Sequence, residues 1–156
     1  MNNIIFTVAL GIIYSFCSCQ GPAAGTPAVS QADQNLRNLH KLHRGIESGD
    51  LTVVDSIASV SFTDHLPGHT VVGRDSVKIY LRQVHDNIQD FKDSIIAESA
   101  TDNWIFFMAR ITGTTKAPMM GKPTNTKLDF TAVRVIKVEN GIFVETRAFL
   151  DPGDVN

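Results

Sequence analysis

Alternation of apolar and polar positions dominates the C-terminal half of the chain. Between residues 126 and 151 (TKLDFTAVRVIKVENGIFVETRAFLD) two strand-like runs meet at Glu139-Asn140-Gly141-Ile142. An Asn-Gly pair in that setting predicts a two-residue hairpin, because both central residues of a type I′ turn need positive φ. Upstream, residues 93–100 and 103–115 read as two more strands with a turn at Thr101-Asp102-Asn103, and residues 116–125 (KAPMMGKPTN) as a long loop. The N-terminal half changes period. Leu36, Leu39, Leu42 and Ile46 recur at helical spacing until Gly49-Asp50 stops them, and residues 51–57 offer a short second helix or turn. Residues 60–65 form a short strand candidate. Gly73-Arg74-Asp75-Ser76 then opens a helix with Asp75 as N-cap, whose apolar stripe is Val77, Tyr80, Leu81, Val84 and Ile88. Helices first and strands after is an α+β order, which predicts helices packed on one face of an antiparallel sheet.

Composition adds the front end and removes some function classes. The chain has 156 residues, 43% hydrophobic and 19% charged, with a net charge of −2. That is a globular balance with room for one core, and it carries no basic stripe for nucleic acid. Residues 1–32 contain no Lys, Arg, Asp or Glu, and residues 4–14 are apolar over a length that suits a signal peptide and is too short to span a bilayer. Both cysteines follow at once, in Ser15-Phe16-Cys17-Ser18-Cys19-Gln20. This resembles a relaxed bacterial lipoprotein signal with Cys19 as the lipidated residue, an ordinary cleaved signal being the alternative. The expected organisation is a signal over residues 1–19, a Gly/Pro/Ala-rich tether over 20–31 and one domain over 32–156. The protein is then expected outside the cytoplasm, touching the membrane only through a lipid on Cys19.

The pieces of that domain resemble the SnoaL-like polyketide cyclase (ester cyclase) branch of the nuclear transport factor 2-like superfamily. They are Thr63-Asp64-His65-Leu66-Pro67, Gly73-Arg74-Asp75-Ser76-Val77, Ile111-Thr112-Gly113-Thr114, Met120-Gly121-Lys122-Pro123-Thr124, the run from Val135 to Gly141, and Val144-Glu145 leading to Asp151. The resemblance implies a cone-shaped α+β barrel, a curved sheet wrapped around N-terminal helices with a largely apolar cavity in its mouth. It also implies a homodimer through the exposed sheet face. Cyclases of the family move protons with a cavity histidine and aspartate and need no cofactor. His65 falls on the family's Asp-His-x-Pro position. Where many members read Glu-His-Trp-Asp, this chain reads Glu145-Thr146-Arg147-Ala148, so the acidic position is Ala148, and an alanine cannot move a proton.

Candidate chemistry follows from placing residues on that plan. A strict two-residue turn would pair Val138 with Phe143, Ile136 with Glu145 and Arg134 with Arg147. Like charges opposite one another need a neutralising group, and Glu145 is the nearest. Either the three form a solvated ion network, or the arginines line the cavity mouth and hold an anionic group such as a carboxylate or enolate. A bulge would shift the pairing by one residue. Trp104, Phe106, Met108 and Arg110 alternate with Ile105, Phe107, Ala109 and Ile111, so this central strand turns one face to the helices and the other to the cavity or a dimer contact. Asp64 and His65 follow a strand end beside Pro67-Gly68. His65 is the candidate general base, or else a histidine that merely bonds a backbone carbonyl. The expected pocket set is Asp64, Tyr80, Trp104, Met108, Arg134, Thr146 and Arg147 around a small, mostly apolar ligand. His40 and His43 lie three apart on the first helix and lack a third ligand for zinc, so they read as solvated. Phosphate-cradling loops, nucleophile elbows and close metal-ligand clusters are absent from the sequence. The functional expectation is a cofactor-free cyclase or isomerase, with a non-catalytic binding or dimerisation module as the alternative.

Overall fold

The computed structural model describes residues 29–150. The signal, the lipidated Cys19 and most of the tether lie outside the described residues. Among these residues, three helices and six strands run in the order α1 (Gln31–Ser48), α2 (Val53–Ile57), β1 (Ala58–Leu66), β2 (His69–Val72), α3 (Arg74–Asn87), β3 (Ile88–Ala100), β4 (Trp104–Thr115), β5 (Lys127–Glu139) and β6 (Ile142–Leu150).

Helix α1 starts where Ser30 accepts the Asp33 backbone N–H at 3.1 Å, and it ends at Gly49, whose φ of 76° reverses the chain. Buried Asn35 donates to the carbonyls of Thr101 and Asp102 at 2.9 and 3.1 Å, tying the start of α1 to the β3–β4 turn. Helix α3 begins two residues earlier than the expected Asp75 cap implies. Gly73 at φ 92° is the cap, and Asp75 sits inside the first turn, where its charge complements the helix dipole. Ile88, expected on the helical stripe, is instead the first residue of β3, because α3 passes into that strand without a loop.

The six strands form one sheet in the order β2-β1-β6-β5-β4-β3. It is mixed, not purely antiparallel as expected: β1 and β6 run parallel, with the rest of the domain serving as their crossover. Strand β2, which the sequence pattern did not mark, closes the outer edge through a turn at Pro67-Gly68. Helix α1 packs on β3 and α3 on β1, so the helices lie against opposite flanks of one sheet face and the sheet curls around them. That is the expected cone.

The Asn140-Gly141 turn forms with φ of 51° and 78°. Beyond it the register slips between Lys137 and Val138, so Ile136 pairs with Thr146, Val135 with Arg147 and Arg134 with Ala148. The strict pairing of Ile136 with Glu145 and Arg134 with Arg147 is therefore overturned by one extra residue on β6. A one-residue slip exchanges faces. Thr146 turns inward beside Arg134's strand, and Arg147 turns out.

Along β4 the alternation is clean. Ile105, Phe107 and Ala109 are at most 4% exposed and face the helices, whereas Trp104 and Phe106 are 40% and 46% exposed on the outer face. Phe143, Leu39, Ile136 and Val77 complete the centre of the core.

Candidate functional site

The concave face and the helices enclose a cavity of about 90 Å³, several times the space that one water needs. Its wall is mostly aliphatic and aromatic, with Phe62, Leu81, Phe107, Ile136 and Phe143 prominent. Two groups of polar side chains interrupt it.

The first group comes from α3, β1, β5 and β6. Asp64 is 1% exposed. Arg134 reaches across β6 and sets one Nη1 at 3.3 Å from both Oδ1 and Oδ2 of Asp64. Thr146 is the register partner of Asp64 on β6 and is 4% exposed, and its Oγ1 has no hydrogen-bond partner among the described residues. Tyr80 approaches from α3. Burial raises its hydroxyl pKa; the Arg134 charge opposes that rise and the Asp64 charge reinforces it, so the phenol stays protonated at neutral pH.

The second group joins α1 to β3. His43 is 7% exposed, and its Nδ1 lies 3.1 Å from Asp93 Oδ2. The contact is short enough for an ion pair but poorly directed, leaving Nδ1 without a true hydrogen bond. The ring stands edge-on to Phe107, centroids 5.0 Å apart at 85°. Asp93 is opposite Ile111 on β4, and Glu47 accepts its backbone N–H at 2.9 Å. Phe107 is also the register partner of Arg134, so it separates the two groups. Asp93 lies two strands from Arg134 and, opposite Ile111, four residues further along β4 than Phe107, so the two groups sit at separate places in the wall.

Of the expected pocket residues, Asp64, Tyr80, Arg134 and Thr146 meet in the cavity. His65, Trp104, Met108 and Arg147 do not line it. Strand β1 runs on to Leu66, one residue past the expected strand end at His65, and its two-residue period, which turns Asp64 inward, turns His65 out. There its Nδ1 is 3.2 Å from Thr70 Oγ1 and its Nε2 is 3.4 Å from Glu145. Trp104 stacks with Phe106 on the outer face at 6.5 Å, Met108 shares that face, and Arg147 pairs with Glu145 at 2.7 Å.

The reading of both α1 histidines as solvated is half corrected. His40 is partly exposed and bonded to Glu98 at 2.9 Å, but His43 is in the cavity wall. The signal was present: His43 is four residues after Leu39 and three before Ile46, squarely on the apolar stripe. Among the described residues no three His, Cys, Asp or Glu side chains gather to hold a metal ion.

A family model described as a SnoaL-like domain matches residues 39–146. Similar solved structures include a protein from Jannaschia sp. CCS1 assigned as a SnoaL-like polyketide cyclase, 18% identical with a TM-score of 0.70 over 81% of this chain and 92% of that one. An LEH-like epoxide hydrolase from M. tuberculosis is 14% identical, TM-score 0.67, over 81% and 85%. IdmH from Streptomyces antibioticus, assigned as a polyketide cyclase, is 18% identical, TM-score 0.65, over 78% and 95%. No curated protein matches. At these identities the structures establish the shared fold.

Proposed function

This chain belongs to the SnoaL-like domain family of the nuclear transport factor 2-like superfamily, and from that premise we propose that it binds a small, mostly apolar molecule and moves a proton on it without a cofactor. The reaction class is isomerisation or cyclisation. His43 accepts the proton from an activated C–H of the substrate, and Asp93 behind it steadies the imidazolium that forms. The Asp64–Arg134–Tyr80 end anchors an oxygen of the same molecule. The observation that carries this reading is an imidazole with a carboxylate 3.1 Å behind it, both side chains about nine-tenths buried, in the wall of an otherwise apolar hollow.

The test follows loss of the methylene signal of 4-hydroxyphenylacetone, whose phenol oxygen and acidic C–H lie at opposite ends of the ring, in D2O by proton NMR. The protein is expected to accelerate exchange, and His43→Gln to remove about 10²-fold or more of that acceleration, with His65→Gln unchanged. Exchange that survives His43→Gln and fails in His65→Gln would overturn the assignment. Binding of 4-hydroxyphenylacetone with no catalysed exchange supports the second reading, carriage without turnover, which Ala148 at the family's acidic position favours. We also propose that Cys19 carries a lipid that holds the domain at a membrane surface. Intact mass of the membrane fraction, compared with Cys19→Ser, tests it.

A further inference from the structure

Resting on the cavity reading above, we infer that the Asp64–Arg134–Thr146 end recognises an uncharged hydroxyl group on the substrate, a phenol or alcohol, and discriminates against a carboxylate. One of the two readings open from sequence is the reverse, two arginines gathered around an anion, the other being a solvated ion network. The structure leaves one arginine in the cavity, already facing a carboxylate, while Arg147 is on the outer face. An anion brought to Arg134 would also meet the Asp64 charge, so the end as a whole offers no net attraction for it.

What it does offer is unused hydrogen-bond capacity of both kinds. An ionised carboxylate accepts up to about four hydrogen bonds. Asp64, with 1% of its surface exposed, receives from side chains only the two 3.3 Å contacts from a single Arg134 nitrogen. It therefore lacks donors. Thr146 Oγ1 is buried in the same wall, in register with Asp64, and makes no hydrogen bond among the described residues. Tyr80, kept protonated, is a further donor. Leaving such groups unpaired in a buried site is costly, so a molecule that completes both is favoured there.

A hydroxyl completes them in one step. Its O–H donates to Asp64, and its oxygen accepts from Arg134, Tyr80 or the Thr146 hydroxyl. A carboxylate supplies no donor, and a hydrocarbon supplies nothing. The substrate class is accordingly a small apolar molecule, hydroxylated at one end and carrying its acidic C–H at the other, toward His43.

The experiment is calorimetric titration of the protein at neutral pH with p-cresol, toluene and 4-methylbenzoate, which share one body and differ in one group. p-Cresol is expected to bind about tenfold or more tighter than either partner, the size of one well-made hydrogen bond to a charged group. Thr146→Val and Asp64→Asn should each shrink that preference to about threefold or less while leaving toluene affinity within about twofold, which also shows that the variants are folded. Tightest binding of 4-methylbenzoate would overturn the inference in favour of an anion site. Equal affinity for p-cresol and toluene would overturn it too, because the hydroxyl is then not read. Failure of all three to bind would sink the cavity reading itself, a distinct result from loss of selectivity.

Discussion

Arg134 and Arg110 lie on neighbouring strands and each meets one aspartate, yet the two pairs are made in opposite ways. On the outer face, Arg110 sets Nε and Nη2 against the two oxygens of Asp129, both at 2.7 Å, with 58% and 45% of the side chains exposed. In the cavity, Arg134 offers a single nitrogen at 3.3 Å to an aspartate that is 1% exposed. The good geometry sits where water would serve nearly as well, and the loose geometry where burial makes each hydrogen bond count. A fork-to-fork pair in solvent gains little. A buried charge with one long partner is expensive to the fold, and a fold that keeps it has reserved hydrogen-bond capacity for an incoming molecule. The comparison separates surface electrostatics from a site.

The sharpest way to break it is Arg134→Met. If Asp64 depends on Arg134, removing the cation leaves a buried carboxylate unpaired, and the fold should lose about 3 kcal/mol in urea denaturation, the lower end for a broken buried pair because the cavity admits some water. A loss under about 1 kcal/mol would mean that cavity water solvates Asp64 adequately. The two pairs would then differ in geometry alone. Thr146→Val is expected to have a smaller effect, of opposite sign. The substitution is nearly isosteric and removes a buried hydroxyl that has no partner. Stability should rise by about 1 kcal/mol, measured the same way, as ligand selectivity falls. A hydroxyl that was in fact well bonded would show the reverse.

The Tyr80 hydroxyl supplies a pH axis. Its pKa in the fold is raised above 10.0, chiefly by burial, so the native state holds its proton where the unfolded chain has released it. The resulting contribution is full below pH 10 and declines as pH rises toward the folded value. Wild-type protein should therefore lose stability more steeply above pH 10 than Tyr80→Phe does, read from denaturation midpoints in that range. Equal slopes would place the phenol in contact with solvent and weaken its role as a protonated donor at the Asp64 end.

Much of this arrangement could be read in the linear chain, and the failures share one cause. The helical stripe from Leu36 to Ile46, the Asn140-Gly141 turn and the alternation along β4 are local patterns, and local patterns predicted those elements correctly. The face of a strand depends on register, which a single residue can invert. The slip at Lys137/Val138 sent Arg147 out. The continuation of β1 past His65 sent that ring out and left Asp64 inside. Trp104 and Met108 were drawn toward the pocket because both faces of β4 are apolar, and only the packing of the helices distinguishes them. His43 is a different case. Its place on the stripe was visible, but its partner Asp93 is fifty residues away on β3, and the pairing exists only once α1 lies against that strand. The parallel β1–β6 contact is likewise non-local.

The smallest effect expected is at Arg110 and Asp129, and its smallness is the point. The hydrogen bond from Arg110, with help from its charge, lowers the Asp129 pKa below 3.8, and the same contact raises that of Arg110. A carboxylate whose folded pKa is depressed adds stability that is present above its unfolded value and vanishes as pH falls through the folded one. Any contribution of this pair should thus be intact at neutral pH and disappear only in the acid range below about pH 4. Both side chains are about half exposed, so the attraction is screened, and Arg110→Ala should leave the neutral-pH denaturation midpoint unchanged within error in 0.5 M salt. A clear loss there, comparable to that of Arg134→Met, would show that two short, parallel hydrogen bonds outweigh burial in this sheet. The looseness of the Asp64 contact could then no longer be taken as capacity held open for a ligand.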